Sequence, residues 1–321
     1  MGLPPDSASL IMLEIGKELR FYEDTLATIG LLYVGKLSVS FGLSLYRGFK
    51  EHILTKLCPN KELIFSYGNW AMVTGATEGM GKAFAEELAR RGLNIVLLDT
   101  DLSKLNDISA EIEQETGVDT RIVEVDFFDE FVINENLVEV IKSVEIGILI
   151  NSFQTVIQTP TPFTKISAEE INSLLNANVK SLTMITYVIL TGMLHRNKGL
   201  ILNVSAFSGL YPVPFISVYS ASKAYTEFFS QALNMECRGT DVVVQTVTPG
   251  FVKTQQTLDE SVLSYILPTM NNFVRNTVDS LAVSSRVTGS WRFSLELWLL
   301  KRIPECIMQI LVYELMSSAC R

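Results

Sequence analysis

Tyr219 and Lys223 stand four residues apart in the run Val218-Tyr219-Ser220-Ala221-Ser222-Lys223. On a helix, residues at that spacing share a face. An ammonium group can then lie beside a phenol whose unperturbed pKa is about 10 and favour the phenolate. Such a pair can give and take a proton near neutral pH. Upstream, Thr74-Gly75-Ala76-Thr77-Glu78-Gly79-Met80-Gly81 follows the apolar run Trp70-Ala71-Met72-Val73 and opens the stretch Lys82-Ala83-Phe84-Ala85-Glu86-Glu87-Leu88. A glycine-rich turn between a strand and a helix offers backbone amides and a helix N-terminus to a pyrophosphate. Either feature alone is weak, because a Tyr and a Lys at helical spacing usually decorate a surface. Together they point to a proton donor next to a dinucleotide. Beyond the glycines, Leu97-Leu98-Asp99-Thr100 ends an apolar run on a carboxylate, which can accept from ribose hydroxyls and repel a 2′-phosphate.

The elements that must position these groups alternate along the chain. Strand patterns are expected at Trp70 to Thr74, Asn94 to Leu98, Thr120 to Val125, Ile146 to Ile150, Leu200 to Ser205 and Val242 to Val247. Helical patterns lie between them at Lys82 to Arg91, Ser103 to Thr116, Ser167 to Leu194 and Tyr219 to Cys237, each long enough for a crossover. This alternation predicts an α/β fold of the Rossmann type, a doubly wound parallel sheet. The segment from Phe251 to Asn276, which should cover a substrate, has no recognisable pattern and reads as loop.

The chain of 321 residues can hold one such core plus an appendage. A division into an apolar N-terminal segment, 1–65, and a catalytic-type domain with a C-terminal helical extension, 66–321, is expected. Leu26 to Tyr46 carries Lys36 as its only charge and approaches the roughly 20 residues that span a bilayer. The lysine costs about 2.5 to 3.5 kcal/mol at a bilayer centre, so a helix on a lipid surface or packed on a partner competes with a span. Acidic residues precede this run, and Arg47, Lys50, Lys56 and Lys61 follow it. A true span would therefore leave the larger domain on the cytosol-like or matrix-like side. Trp291, Leu295, Leu297, Trp298, Leu299 and Leu300, then Ile307 to Leu315, read as a packed C-terminal helical region. A flap over an apolar substrate and a second membrane contact are the alternatives.

Hydrophobic residues make up 48% and the mean hydropathy is +0.27, so a membrane contact is expected. The net charge of −9 argues against nucleic acid as a partner. Cys58, Cys237, Cys306 and Cys320 form no CxxC pair, and His52 and His195 are the only histidines, so no metal site or disulfide framework is suggested.

With these residues in hand, the chain from Trp70 to Trp291 resembles the short-chain dehydrogenases/reductases. The glycine turn matches the family's TGxxxGxG, Tyr219 with Lys223 its YxxxK, and Pro249-Gly250 with Thr254 its PGxxxT segment at the nicotinamide end. Asp126 matches the adenine-contacting aspartate, and Asn178 the helix asparagine that holds a water in the proton relay. The resemblance implies cofactor binding by Gly75, Thr77, Gly79, Met80, Gly81, Asp99, Asp126, Asn151, Tyr219, Lys223, Pro249, Gly250 and Thr254, and catalysis by Tyr219, Lys223 and Asn178. The wider run from Tyr67 to Ile95 is similar to the branch of 17β-hydroxysteroid dehydrogenases and 3-oxoacyl-CoA reductases. Within it, the N-terminal segment resembles the hydroxysteroid dehydrogenase-like group. That implies weak or absent turnover, a steroid- or lipid-like ligand and a membrane-associated mitochondrial protein, with the endoplasmic reticulum membrane as alternative and homo-oligomers allowed.

Three departures stand out. Ala206 occupies the position of the family's substrate-binding serine, flanked by Ser205 and Ser208. Strand alternation should turn Ser205 away from the pocket, whereas Ser208 reaches in only if its loop bends. The family's NNAG reads Asn151-Ser152-Phe153-Gln154, losing a glycine that lets backbone approach the cofactor, and Gln154 is expected to crowd that approach. Asp99-Thr100 replaces the branch's serine-arginine, which favours NAD over NADP. The leading expectation is a dinucleotide-binding protein with little or no turnover. A working lipid reductase using Ser208 or a water, and an interaction module without cofactor, are the competitors.

Overall fold

The computed structural model describes residues 5–50, 61–129, 132–155, 159–250, 268–300 and 302–319. The chain divides into a compact unit that ends at Phe49 and a second that begins at Lys50. The first contains α1 (Pro5–Phe49). Within it Tyr22–Tyr46, 25 residues of hydropathy 1.5 with 0% buried, is long and apolar enough to cross a membrane. Its exposed Leu31, Leu32, Val34, Val39 and Leu43 are spread around the helix.

The second unit opens with α2 (Lys61–Tyr67), whose Ile64 and Tyr67 are buried in the core. The strands are β1 (Trp70–Thr74), β2 (Asn94–Asp99), β3 (Thr120–Glu124), β4 (Ile146–Asn151), β5 (Gly199–Val204), β6 (Val242–Val247) and β7 (Arg286–Val287). They form one sheet in the order β3-β2-β1-β4-β5-β6-β7, every pairing parallel. The expected doubly wound sheet is thus present. The helices are α3 (Gly79–Arg90), α4 (Leu102–Thr116), α5 (Glu135–Ser143), α6 (Ala168–Leu175), α7 (Ser181–His195), α8 (Ser217–Glu236), α9 (Met270–Asp279), α10 (Trp291–Leu300) and α11 (Glu305–Ala319).

Strand alternation sorts the core onto the two faces of the sheet. Ala71, Val73, Ile95, Leu97, Ile148 and Ile150 pack with Phe84 and Leu88 of α3, Leu105 and Ile112 of α4, and Phe273 of α9. Their neighbours Met72, Val96, Leu98 and Leu149 pack with Leu137 of α5 and Ile185, Ile189 and Met193 of α7. The long helical pattern expected from Ser167 to Leu194 is interrupted by a π-helical turn at Asn176–Lys180. That stretch is also long and apolar enough to cross a membrane, but much of it is buried in the core, as befits a helix packed on a sheet.

The segment read as loop up to Asn276 ends inside α9, whose Phe273, Val274, Thr277 and Val278 turn inward. Three asparagines in Met270–Asp279 hide that helix in the sequence, and packing against α3 stabilises it regardless of propensity. In the C-terminal region Phe293, Leu297 and Met308 are buried, while Trp291, Leu295, Leu299, Ile310, Leu311 and Leu315 remain exposed.

Strand order reverses between β1 and β4, where Thr74 lies opposite Asn151. In open parallel sheets, the crevice beyond the strand ends at such a reversal is where ligands bind. Thr74 Oγ1 holds it closed at its base by accepting from the amides of Ser152 and Phe153, each at 3.0 Å.

Candidate active site

The glycine turn crosses this crevice. A Cβ on Gly81 would lie 1.8 Å from the carbonyl oxygen of Gly75, so only glycine lets α3 begin so close to the turn. Gly75, at φ +69°, packs so tightly on the end of β4 that a Cβ there would meet Phe153 Cα at 2.8 Å. Close backbone approach is therefore kept through Gly75, although the glycine of the NNAG position is lost. The N-cap of α3, Glu78, makes no side-chain hydrogen bond to the helix, which leaves the first-turn amides for an anion.

The turn is pinned to β2. Gly75 and Ala76 donate to Leu98 O at 2.9 and 3.2 Å. The Asp99 carboxylate accepts from Thr77 N at 2.8 Å, Thr77 Oγ1 at 2.6 Å and Thr100 N at 2.8 Å. With Asp99 only 4% exposed, much of its accepting capacity is spent on the turn itself, a role the sequence did not reveal. Asp126 stays exposed at the end of β3 and accepts from Phe128 N at 2.8 Å.

At the end of β4, Asn151 Nδ2 donates to Thr186 Oγ1 and Asn203 Oδ1. Asn151 Oδ1, Ser152 Oγ and Gln154 Oε1 are shielded from water without a partner among the described residues. Buried polar atoms of this kind are costly unless something meets them. Phe153 turns its ring aside to stack on Phe127 at 3.9 Å, rather than over the turn. Uncapped helix amides, a glycine-shaped cradle and orphaned polar atoms at the strand reversal fit a nicotinamide dinucleotide. Gly79, Met80 and Gly81 would face its pyrophosphate. Pro249 O accepts from Phe207 N at 3.1 Å, which ties the β5 and β6 ends together beside Gly250. Thr254 lies outside the described residues.

Tyr219 and Lys223 share the inner face of α8, with Lys223 Nζ 5.6 Å from the Tyr219 ring centre. Lys223 is 2% exposed and donates to Val204 O at 3.3 Å. Asn178 sits in the π-helical turn, a feature frequent at functional sites. Its Oδ1 accepts from Thr155 N and its Nδ2 donates to Thr155 O, both at 2.9 Å, with Ser222 Oγ at 3.3 Å. These bonds fix the Asn178 side chain to the loop carrying Thr155 and so set the position of the π-helical turn beside α8. No signal marked Thr155 in the sequence, because it takes part only through its backbone.

Ser205 Oγ donates to Lys223 O at 3.1 Å, which turns it behind α8 and leaves extended Ala206 pointing the other way, as strand alternation predicts. Ser208 borders a groove with Ala221, Ala224 and Phe228, on the side of α8 away from Tyr219, and its Oγ is shielded from solvent. Neither neighbour supplies the missing hydroxyl.

The expected lowering of the Tyr219 pKa needs correction for the folded protein without cofactor. Burial pushes the phenol up to about 12. Burial also brings the Lys223 ammonium down to about 7, so it opposes that rise with little positive charge. Between about 7 and the unperturbed 10.5, Lys223 is protonated when unfolded and neutral when folded. Unfolding takes up a proton there, so the lysine makes stability rise with pH across that window and level off below it. Tyr219 acts in the opposite sense between 10 and about 12, where only the unfolded phenol ionises. Lys223→Met should raise Tm at pH 7.5 and flatten the rise between pH 7 and 10, read as a Tm-against-pH profile without nucleotide. An unchanged slope would rule out charge burial as its source.

The short chain dehydrogenase profile matches residues 69–261. The chain is 34% identical over 305 residues to hydroxysteroid dehydrogenase-like protein 1 of Gallus gallus, covering 94% of this chain and 92% of that protein. The human relative, named inactive hydroxysteroid dehydrogenase-like protein 1, is 34% identical over 94% of this chain and 92% of its own. The very-long-chain 3-oxoacyl-CoA reductase of Macaca fascicularis is 37% identical over 75% of this chain and 77% of its own. Among solved structures, a 7β-hydroxysteroid dehydrogenase superposes with TM-score 0.69 at 25% identity, covering 74% of this chain and 93% of that one. A Sphingobium yanoikuyae short-chain dehydrogenase in complex with NADPH gives TM-score 0.62 at 25% identity, covering 75% and 94%. With its glycine turn, Tyr219 and Lys223 set at the strand reversal, this chain belongs to the short-chain dehydrogenase/reductase family.

Proposed function

We propose that this protein binds a nicotinamide dinucleotide at a membrane and turns over a lipid carbonyl slowly or not at all. The observation that carries this reading is Ala206. The position facing the site has no hydroxyl, Ser205 is bonded behind α8, and Ser208 opens elsewhere. A relative named as inactive supports it. The cofactor, when bound, supplies a hydride at its nicotinamide ring. Tyr219 then holds or releases a proton at its phenol oxygen, and Lys223 lies behind it. Nothing at Ala206 donates to the substrate oxygen. Losing one such donor costs about 2.7 to 4 kcal/mol, a factor of about a hundred to a thousand in rate. The names of the relatives suggest a steroid or a 3-oxoacyl thioester as the ligand class.

NADH is the preferred form in this reading. A 2′-phosphate would bring its charge beside the Asp99 carboxylate, with Thr100 in place of a pairing arginine. Membrane attachment is assigned to α1, on its apolar length. The compartment favoured is the mitochondrion, with the endoplasmic reticulum as the alternative, and cell fractionation that finds the chain in neither would remove both.

Titration by nicotinamide fluorescence should show NADH binding more tightly than NADPH, and Asp99→Ser with Thr100→Arg should shift preference towards NADPH. Equal or reversed wild-type affinities would sink the assignment, and no binding of either would leave an interaction module. In alkaline carbonate the full chain should stay with membranes, while a chain starting at Lys50 should be released. Retention of the shorter chain would move the anchor to the exposed faces of α10 and α11.

Ala206→Ser should raise activity on a test ketone or 3-oxoacyl thioester by roughly ten- to a thousandfold. Tyr219→Phe in that background should abolish the gain, because transfer needs the phenol. No gain despite NADH binding would favour a purely binding role. Substantial wild-type turnover lost in Ser208→Ala would favour a working reductase.

A further inference from the structure

The inner face of the helix that carries Tyr219 grips the ends of three neighbouring strands. Lys223 Nζ donates to Val204 O at the end of β5. One turn further along the same face, Glu227 is 2% exposed and serves β6 and β7. Its Oε1 accepts from Thr248 Oγ1 at 2.5 Å, and its Oε2 from Arg286 Nε and Nη2 at 3.0 and 2.7 Å. A carboxylate taken out of water is costly unless its oxygens are met. Here the two oxygens are divided between two strands, so one side chain of α8 sets the position of both.

Thr248 leads directly into Pro249-Gly250. It is 2% exposed, and its amide donates to Val287 O of β7 at 3.0 Å. The two residues after it are held as closely. Pro249 O accepts from Phe207 N, next to Ala206, and a Cβ on Gly250 would lie 2.8 Å from the Phe293 ring of α10. The segment 248–250 is thus wedged between α8, the Ala206 strand end and α10, and the Thr248 hydroxyl is its bond to the helix of Tyr219.

We propose, on the reading that this chain binds a dinucleotide, that Glu227 is a positioning residue for the nicotinamide end, acting through Thr248 on the strand end beside Tyr219 and Ala206. In that reading the pyrophosphate lies at the glycine turn, and the ring must come within reach of a substrate that Tyr219 protonates. The ring therefore belongs at the β5 and β6 ends, which Lys223 and Glu227 hold. The adenosine belongs towards Asp99 and Asp126 at the β2 and β3 ends, which they do not touch. Loosening the Thr248 bond should cost affinity at the ring alone.

The test is calorimetric titration of the full chain in detergent with NADH and with ADP-ribose, which keeps the adenosine and pyrophosphate and lacks the nicotinamide. Thr248→Val keeps the side-chain volume and removes the hydroxyl, whereas Thr248→Ser keeps the hydroxyl and removes a methyl group. Thr248→Val is expected to weaken NADH roughly five- to tenfold, the worth of one hydrogen bond, and to leave ADP-ribose unchanged. Thr248→Ser should match wild type for both ligands. A role in packing alone would make the serine the more harmful change, or would weaken both ligands together. Either result overturns the proposal, as does a Thr248→Val chain that binds NADH like wild type. If Thr248→Val does not fold, Thr248→Ala set against Thr248→Ser isolates the same hydroxyl. A wild-type chain that binds neither ligand removes the dinucleotide reading and this proposal with it, whereas wild-type binding of both without the expected split removes the role of Glu227 alone.

Discussion

Lys223 places an amine where water hardly reaches, and much of the site is arranged around that fact. Desolvation disfavours its charge, and the nearest relief is the carbonyl of Val204 at the end of β5. Ser205 ties the carbonyl of Lys223 itself back to the same strand end. Gly209 has no side chain because the Lys223 backbone already fills its space. The tyrosine, the strand end and the loop after it are thereby held as one piece. With its pKa brought down to about 7, the lysine gains or loses its charge close to neutral pH.

A buried polar scaffold supports that piece from beneath. Asn151 donates to Thr186 and Asn203, and Asn203 to Ser230 on α8, so hydrogen bonds run from α7 across β4 and β5 to the helix of Tyr219. On the far side, Glu227 is 2% exposed and is met by Arg286 at 2.7 Å and Thr248 at 2.5 Å. Only the carboxylate of this pair is buried, since the Arg286 side chain is 30% exposed. The short β7 strand is therefore docked by an ion pair as well as by its ladder.

This scaffold stands beside an alanine, Ala206, at the position where the family carries its substrate-binding serine. The glycine cradle, the π-helical turn and the Tyr219–Lys223 pair all need many mutually fitted neighbours, yet Ala206 differs from a serine by one oxygen. A protein can lose that atom without disturbing any packing. The groups that would hold a cofactor and the position that would meet a substrate oxygen are thus separable here, and the second departs from the family pattern.

The sheet was legible because its signals are local. Val and Leu runs alternate by face, glycines punctuate the turns, and each expected strand lies within a residue or so of its place. The Tyr219–Lys223 pair and the glycine turn were legible because helix period and turn chemistry are set by neighbours in sequence. What tertiary structure decided depends on groups far apart in the chain. Asp99 reads as a ribose acceptor, but Thr77, 22 positions earlier, takes much of its carboxylate. Asn178 reads as a relay residue, and only the fold shows that its side chain is bonded to the backbone of Thr155, 23 positions earlier. Spacing alone lets Lys223 lower the Tyr219 pKa, but in the folded chain without cofactor burial pushes the phenol up to about 12. Sequence by itself determined which groups are present and which face of an element they share. Desolvation and competition for hydrogen bonds act between elements, and only the folded chain decides them.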